Sequence, residues 1–286
     1  LTTQAPRRNS EMNSTYLYGA HVHANGIRQH YLRYGGDGGA RGDRDAVIVV
    51  PGITSPAATW GFVGDRLGLH FDTYVLDVRG RGLSASGPDI DYSLDAQAAD
   101  VIALAQALRL ERYALIGHSM GGRIAVRAAR SKPAGLTRLV VVDPPVSGPG
   151  RRPYPAKLAW YVDSIRQAFQ GMSAEDMRAY CPTWTDEQLR LRAEWLHTCF
   201  EPAIVRSFAD FGLEDIHADL PRIDPPMLLI TAERGDVVRD EDVAEWQSLA
   251  PQTRHVRVMN AGHMIPWDNA QGFYAAFSDF LGKPLR

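Results

Sequence analysis

Six short apolar runs, separated by segments long enough for helices, constrain the fold of this 286-residue chain more than any other feature. Runs without polar alternation are typical of strands buried on both faces of a parallel sheet. The segments between them can form right-handed helical crossovers. The sequence therefore predicts an α/β fold, with a mostly parallel twisted sheet and helices on both faces. The runs lie at residues 46–50, 73–78, 113–117, 139–143, 227–231 and 255–259.

Two stretches depart from this alternation of strands and helices. Residues 18–36 alternate polar and apolar side chains around Asn25-Gly26, which predicts an antiparallel hairpin. The segment between the fourth and fifth runs is too long for one crossover and is rich in helix formers and aromatic residues. We predict a helical cap at residues 147–220, a core formed by residues 16–146 and 221–286, and a disordered tail at residues 1–15, with Met12 as the natural start.

Composition excludes several classes of partner. The formal net charge is −2, which does not favour a nucleic acid or an anionic membrane. The chain has no apolar run near the roughly 20 residues that span a bilayer, and only two cysteines, Cys181 and Cys199. A cytoplasmic monomer or small homo-oligomer without disulfides is expected. No residue spacing typical of a metal site is present, and no cofactor is expected.

The pattern G-x-S-x-G occurs where the third apolar run ends and a helical segment begins, as Gly117-His118-Ser119-Met120-Gly121. A strand-to-helix turn of this kind holds a serine in a strained conformation, flanked by glycines because larger residues would clash. We predict that Ser119 is a nucleophile and that His118 lines the pocket beside it. The alternative is a tight turn with an incidental serine.

A serine nucleophile needs a general base, and the base needs a carboxylate to orient it. His263 follows the last run in a loop near the chain's end, where the base is expected. For the acid we prefer Asp143, at the end of the fourth run, because Pro144 is expected to hold it extended. Asp236, after the fifth run, is the alternative acid, and a salt bridge is its alternative role.

The reaction of a serine hydrolase also needs two N–H groups aimed at the developing oxyanion. The backbone N–H of Met120 directly follows the nucleophile, and that of Ile53 lies in the loop after the first run, where Gly52 allows a close turn. These two groups form the predicted oxyanion hole. Arg79 and Arg81 are interpreted as structural rather than as substrate contacts.

From Tyr18 onwards the chain resembles the α/β-hydrolase family. The segments PGIT, DVRGRGLSASGP, GHSMGG and NAGHMIPW appear in that family's order. The resemblance implies the α/β-hydrolase fold with an inserted helical cap, and it matches Ser119 and His263 to the nucleophile and the base. The cap segments are most similar to an amidase branch of the family, in which the acid follows the strand after the nucleophile. In this sequence Asp143 occupies the position of that acid.

The same resemblance implies an activity. We expect cleavage of the formyl C–N bond of N-formylmaleamate, giving maleamate and formate in aerobic nicotinate breakdown. The alternatives are a carboxylesterase or a C–C hydrolase of small dicarboxylic acids with the same triad, and, more remotely, a ligand-binding member of the fold without catalysis.

An anionic substrate calls for cations in the cap, and residues 147–166 form a locally basic lip. Solvated surface arginines are the alternative interpretation of the basic residues, and the cap's own core is the alternative for the aromatic ones. The predicted substrate-binding residues are Arg151, Arg152, Lys157, Arg123, Trp160, Tyr161, Trp195 and His118.

Overall fold

The apolar runs are strands of one eight-stranded sheet in the computed structural model, which describes residues 14–35 and 44–285. The strand order across the sheet is β1-β2-β4-β3-β5-β6-β7-β8. Strand β2 is antiparallel to both of its neighbours, and the other strand pairs are parallel. The predicted mostly parallel sheet is confirmed. The strands are β1 (Tyr16–Ala24), β2 (Ile27–Tyr34), β3 (Ala46–Val50), β4 (Asp72–Leu76), β5 (Tyr113–His118), β6 (Leu136–Val142), β7 (Met227–Ala232) and β8 (Thr253–Val258).

The predicted hairpin forms one edge of the sheet. Asn25 and Gly26 connect β1 to β2 with φ values of 48° and 73°. Positive φ at both central positions matches the right-handed twist of the flanking strands, and asparagine and glycine tolerate it best.

Helices cover both faces of the sheet. The side chains of β3 show the layering, because Ile48 and Val50 pack in one buried cluster while Val47 and Val49 pack in another. The first cluster contains residues of α2, α3 and α8, and the second contains residues of α1 and α10. The helices are α1 (Gly61–Gly68), α2 (Leu94–Ala107), α3 (Met120–Ala129), α4 (Leu158–Phe169), α5 (Ala174–Arg178), α6 (Asp186–Leu196), α7 (Glu201–Leu213), α8 (Asp240–Leu249), α9 (Ile265–Asp268) and α10 (Ala270–Leu281), with 3₁₀ helices at Ala57–Trp60 and His217–Arg222.

Helices α4 to α7 lie between β6 and β7, inside the segment 147–220. Helix α6 begins at a capping box in which Thr185 and Gln188 satisfy each other's backbone N–H groups, as the sequence predicts for Thr185. Ile165, Leu189 and Ile204 of this insertion belong to the same buried cluster as the first face of the sheet. The insertion is therefore packed onto the core, and its action as a cap stays a prediction.

Part of the predicted tail is ordered. Thr15 is buried, and its N–H and hydroxyl bond to Asp65 at 2.8 and 2.9 Å. Ser14 also donates to the Asp65 carboxylate, at 2.8 Å. The tail boundary at residue 15 is therefore corrected, while residues 1–13 of the predicted tail lie outside the described residues.

The junction of β5 and α3 depends on backbone contact. A Cβ atom at Gly121 would lie 1.9 Å from the carbonyl oxygen of Val50 and 2.6 Å from that of Pro51. Any side chain at Gly121 would therefore push α3 away from the end of β3. This contact sets the position of the first turn of α3 against the loop after β3.

We predict that Gly121→Ala lowers the free energy of unfolding by about 3 kcal/mol or more. The carbonyl oxygens of Val50 and Pro51 belong to the backbone and cannot move aside without distorting the end of β3. Denaturant unfolding measures this change. The control is Gly212→Ala on α7, where an added Cβ has nothing within 4 Å outside its own helix backbone. It is expected to be neutral or stabilising by up to about 1 kcal/mol. Equal stability of the two variants would contradict the argument.

Candidate active site

Ser119 lies at the turn between β5 and α3, as the G-x-S-x-G pattern predicts. Its φ and ψ of 55° and −121° are outside the regions that L-residues normally occupy, a strain on the order of 1–3 kcal/mol. A Cβ at Gly117 would lie 2.2 Å from the carbonyl oxygen of Gly121, so no side chain fits there either. The turn presents the serine hydroxyl at the carboxyl end of the sheet, the edge at which open α/β sheets bind ligands.

His263 lies in the loop between β8 and α9, with its ring between the serine and an acid. Its Nε2 is 2.9 Å from Ser119 Oγ, and its Nδ1 is 2.7 Å from Asp143 Oδ2. Because a carboxylate can only accept, Nδ1 carries the proton, and the Nε2 lone pair is left to accept the serine hydroxyl. The structure thus brings the three residues predicted from the sequence into one hydrogen-bonded chain.

Asp143 follows β6, but its backbone is not extended as Pro144 led us to predict. Its φ is 45°, a left-handed conformation that aspartate adopts more readily than most residues. Its N–H donates to the carbonyl of Ile230 at 2.8 Å, and its Oδ1 accepts from the N–H of Ala232 at 3.3 Å. These bonds hold the residue at the sheet while the chain turns away, and they outweigh the preference that proline imposes on the residue before it.

Asp236, the alternative acid, lies outside this chain of hydrogen bonds. Its carboxylate is exposed and pairs with Arg239 at 2.5 and 2.8 Å. The hydrogen bond from Arg239 holds the pKa of Asp236 below its ordinary value. A salt bridge is thus the observed contact of Asp236, and the carboxylate that bonds to His263 is that of Asp143.

The loop after β3 runs beside the serine. Ser55 N–H donates to the carbonyl of Gly52 at 3.3 Å, which closes a turn and fixes the peptide that joins Gly52 to Ile53. In a trans peptide the N–H points opposite to the carbonyl, so the Ile53 N–H faces away from this turn bond. Met120 N–H is the first of α3, and the first N–H groups of a helix have no intrahelical partner. Their use as an oxyanion hole stays a prediction.

His118 connects the elbow to the loop that carries the base. Its Nε2–H donates to the backbone carbonyl of His263 at 2.9 Å, and its ring lies 5.4 Å from that of Trp60. Burial, with a smaller effect from His263, lowers the pKa of His118 to about 3. A neutral ring therefore fixes the backbone at His263, in addition to lining the cavity.

A cavity of about 250 Å³ opens beside the hydroxyl of Ser119. Its walls combine the catalytic loops with residues of the insertion, including the predicted Trp160 and Tyr161 together with Tyr180 and Trp184. Trp195 lies half-buried near the end of α6, away from the described cavity wall. The cavity is smaller than most sites for drug-sized ligands, so it suits a small molecule.

Sequence reasoning missed Tyr154, which approaches the base directly. Its hydroxyl is 3.4 Å from His263 Nε2 and 3.3 Å from the hydroxyl of Tyr161. Its ring packs edge-on against Phe211 at 5.0 Å. Burial raises the pKa of Tyr154 far above its ordinary value, so its hydroxyl remains a donor. No spacing in the sequence distinguishes it from the other aromatic residues of the insertion.

The predicted basic lip does not line the cavity. Arg151 binds both carboxylate oxygens of Glu245 at 2.7 Å, and Arg152 binds Asp242 at 2.5 Å. Both acids lie on α8, so the two guanidinium groups are already paired with carboxylates of this helix. Lys157 is exposed just before α4. The prediction that Arg151 and Arg152 bind a substrate carboxylate is therefore corrected, and a role for Lys157 stays a prediction.

Arg123 also has a structural role instead of the predicted one. It is 1% exposed, and its guanidinium donates to four backbone carbonyls. Two belong to the segment after β6 and two, those of Asp210 and Glu214, to the C-terminal end of α7. A cation there stabilises the helix end. No N–H of this guanidinium is directed at Ser119.

The cation in the cavity wall is Arg192, which sequence reasoning did not select. It is 4% exposed and lies on α6. The signal was present in the sequence, because Leu189, Arg192, Ala193 and Leu196 follow the i, i+3, i+4, i+7 spacing of a buried helix face. A charged residue on such a stripe indicates a buried charge and therefore a candidate site.

Residues 14–35 and 44–285 contain no group of three or more His, Cys, Asp or Glu side chains arranged to hold a metal ion. Within the same ranges, no helix has the length and hydropathy of a membrane span.

Comparison with known proteins gives the same architecture. Residues 45–270 match the family described as alpha/beta hydrolase fold. The chain is 65% identical over 272 residues to N-formylmaleamate deformylase of Pseudomonas putida, covering 95% of this chain and 99% of that protein.

Two solved structures are similar. One is the crystal structure of a serine-to-alanine variant of N-formylmaleamic acid deformylase from another strain of Pseudomonas putida. It has a TM-score of 0.86 and 55% identity, covering 91% of this chain and 100% of that chain. The other is E-2-(acetamidomethylene)succinate hydrolase, with a TM-score of 0.75 and 21% identity over 93% and 99% of the two chains. At this identity, the second likeness shows the fold alone.

We predict that His118→Gln makes stability less sensitive to acid. Burial lowers the pKa of His118 from its ordinary value of 6.5 to about 3 in the folded protein, so the unfolded chain takes up this proton at a higher pH than the folded one. The wild type therefore loses stability as the pH falls through this window. Glutamine keeps an N–H donor but does not titrate. Thermal unfolding at pH 7.5, 5.5 and 4.5 compares the two proteins, and equal losses of Tm on acidification would rule out this contribution of His118.

Proposed function

The chain belongs to the α/β-hydrolase fold family, and we propose that within this family it is a serine amidase that hydrolyses N-formylmaleamate to maleamate and formate. The observation that carries the chemistry is the chain of hydrogen bonds from Asp143 through His263 to Ser119 at the wall of a small cavity. The substrate is proposed from the 65% identity to N-formylmaleamate deformylase across nearly the whole chain.

The first half of the reaction forms an acyl-enzyme. His263 Nε2 accepts the proton of the Ser119 hydroxyl as Oγ attacks the formyl carbon. The carbonyl oxygen gains a negative charge, which the N–H groups of Ile53 and Met120 stabilise. His263 then donates its proton to the departing nitrogen, the C–N bond breaks, and maleamate leaves. Asp143 stabilises the imidazolium that exists between these two proton transfers.

The second half releases formate. A water molecule gives a proton to His263 Nε2 as its oxygen attacks the formyl carbon of the acyl-enzyme. The same two N–H groups stabilise the second oxyanion. His263 returns the proton to Ser119 Oγ as the ester bond breaks, which regenerates the free serine.

The bond to be broken suits a serine site. The leaving nitrogen belongs to a second amide, whose carbonyl delocalises the developing negative charge. The formyl carbon carries only hydrogen as its substituent, so little space is needed at Ser119. The cavity of about 250 Å³ agrees with a small substrate.

The proposed cellular setting is a bacterial cytoplasm, with the reaction in aerobic nicotinate breakdown. Cys181 and Cys199 are both buried and free, which suits a reducing compartment. A monomer or small homo-oligomer stays the prediction for the assembly.

The purified wild-type protein is expected to release formate from N-formylmaleamate, and Ser119→Ala is expected to lower the rate by about 10⁴-fold or more. A coupled formate dehydrogenase assay measures the product. Ser131→Ala, at an exposed position just after α3, is the control and should keep the wild-type rate.

Turnover of small esters or dienoates without formate release from N-formylmaleamate would favour the carboxylesterase or C–C hydrolase reading. Wild-type formate release by Ser119→Ala would exclude the proposed nucleophile.

The choice of acid has its own test. Asp143→Asn is expected to lower kcat by about 10⁴-fold, because an amide at this position cannot hold the required tautomer of His263. Asp236→Asn removes only an exposed ion pair with Arg239 and should stay within about tenfold of the wild type. Steady-state formate release compares the two, and the opposite order would move the acid to Asp236.

A further inference from the structure

Arg192 is a buried cation in the wall of the cavity that holds the serine. It lies on α6, is 4% exposed, and lines the same cavity as Ser119 and His263. A buried charge is costly unless a counter-charge or a full set of hydrogen bonds compensates it. The partners of its guanidinium therefore show whether the site is complete.

The hydrogen bonds of Arg192 are incomplete. One Nη donates to the carbonyl of Thr54 at 3.1 Å and the other to the Thr54 hydroxyl at 3.0 Å. Its Nε is buried and has no hydrogen-bond partner. Among the described residues, its hydrogen bonds go to neutral groups, the two oxygens of Thr54 and the thiol of Cys181, and it forms no ion pair with a carboxylate. A guanidinium has five N–H donors, so several remain for a ligand.

Other buried arginines of the described chain are satisfied by the protein. Arg127 binds the carboxylate of Asp219 at 2.6 Å. Arg123 donates to four backbone carbonyls. Arg81 lacks a carboxylate as well, but its Nε and both Nη atoms each have a partner. Arg192 differs because it combines an unpartnered Nε with a place in the cavity wall.

Two indole rings shape the surroundings of this guanidinium. Its central carbon lies 5.6 Å from the ring centroid of Trp160 and 5.8 Å from that of Trp184, over both rings. Trp184 is itself stacked on Trp267 at 5.3 Å. Indole rings at this distance from a guanidinium limit the access of water to it, while its N–H groups can still donate hydrogen bonds. A carboxylate, which a guanidinium can bind with two parallel N–H···O bonds, suits such a site.

We propose that Arg192 binds the carboxylate of the substrate, in the same cavity as the serine that attacks the formyl group. The proposal rests on the proposed function and names the residue that selects an anionic formyl amide over a neutral one. The Nε–H and the Nη hydrogens that Thr54 leaves unused form the bonds to the two carboxylate oxygens.

The contact with Thr54 links this anion site to the catalytic loop. Thr54 directly follows Ile53, whose carbonyl is held by Arg81 at 3.0 Å. Arg192 thus fixes the next residue of the same loop while it binds the carboxylate. A ligand anchored at Arg192 therefore has its position set relative to the loop that carries the Ile53 N–H.

Calorimetric titration with maleamate tests the site without turnover. The wild type is expected to bind maleamate and to bind the neutral diamide, maleamide, at least about 100-fold more weakly. Arg192→Met keeps the length of the side chain but removes the charge, and it should weaken maleamate binding by about 100-fold or more. Binding of maleamide should change much less.

The control is Arg190→Met on the same helix. Arg190 is exposed and pairs with Glu194, so this variant should bind maleamate as the wild type does. Arg192→Lys keeps the charge but loses the planar fork, and we expect binding about tenfold weaker. It also serves as the second variant if loss of the Thr54 bonds unfolds Arg192→Met, which the unfolding temperature reveals.

The proposal is overturned if the wild type binds maleamide as tightly as maleamate, or if a folded Arg192 variant binds maleamate like the wild type. These outcomes are separate from failure of the proposed function. A protein that binds maleamate through Arg192 but releases no formate would retain the anion site and lose only the assigned reaction. If Arg192→Met releases formate and binds maleamate as tightly as the wild type, the assigned reaction would be retained and the anion site at Arg192 would be excluded.

Discussion

The active site depends on one backbone contact, the approach of Gly121 to the end of β3. The first turn of α3 lies so close to the carbonyls of Val50 and Pro51 that no Cβ fits between them. This contact places Ser119 beside the loop that begins at Gly52. The nucleophile and the predicted oxyanion donors are therefore held at the end of a central strand and at the start of the helix packed on it. The strain at Ser119 persists because these packed elements leave the turn no other conformation.

Around this contact, three buried arginines connect the inserted helices to the core. Arg123 reaches from α3 to the end of α7, Arg81 reaches from the loop after β4 to Ser207 on α7, and Arg192 reaches from α6 to Thr54. An arginine suits this role because its fork joins several oxygens at fixed angles. Both Nη atoms of Arg123 and all three guanidinium nitrogens of Arg81 are bonded within the protein, and Arg192 retains donors that face a ligand site in our proposal.

The catalytic residues could be predicted from the sequence more accurately than the residues that bind the substrate. Ser119, His263 and Asp143 could be found because each follows an apolar run, and the ends of parallel strands meet at one edge of the sheet. Arg151 and Arg152 were selected because basic residues cluster there, but the acids of α8 that neutralise them are distant in sequence. Tyr154 could not be distinguished from other aromatic residues, since its contact with His263 depends on how the insertion packs. The prediction of an extended backbone at Asp143 was wrong because hydrogen bonds to β7 outweigh the conformational preference that Pro144 imposes.

The sequence by itself determined the order of strands and helices, the hairpin at Asn25-Gly26, and the strained serine turn, since each follows from local periodicity or local sterics. It also determined which residues could serve as nucleophile and base. Only the tertiary structure decided which acid bonds to His263, which arginine lines the cavity, and which arginines bind only to other groups of the protein. Those outcomes depend on contacts between segments far apart in the chain, and the free energy of a buried charge depends on partners that no local pattern specifies.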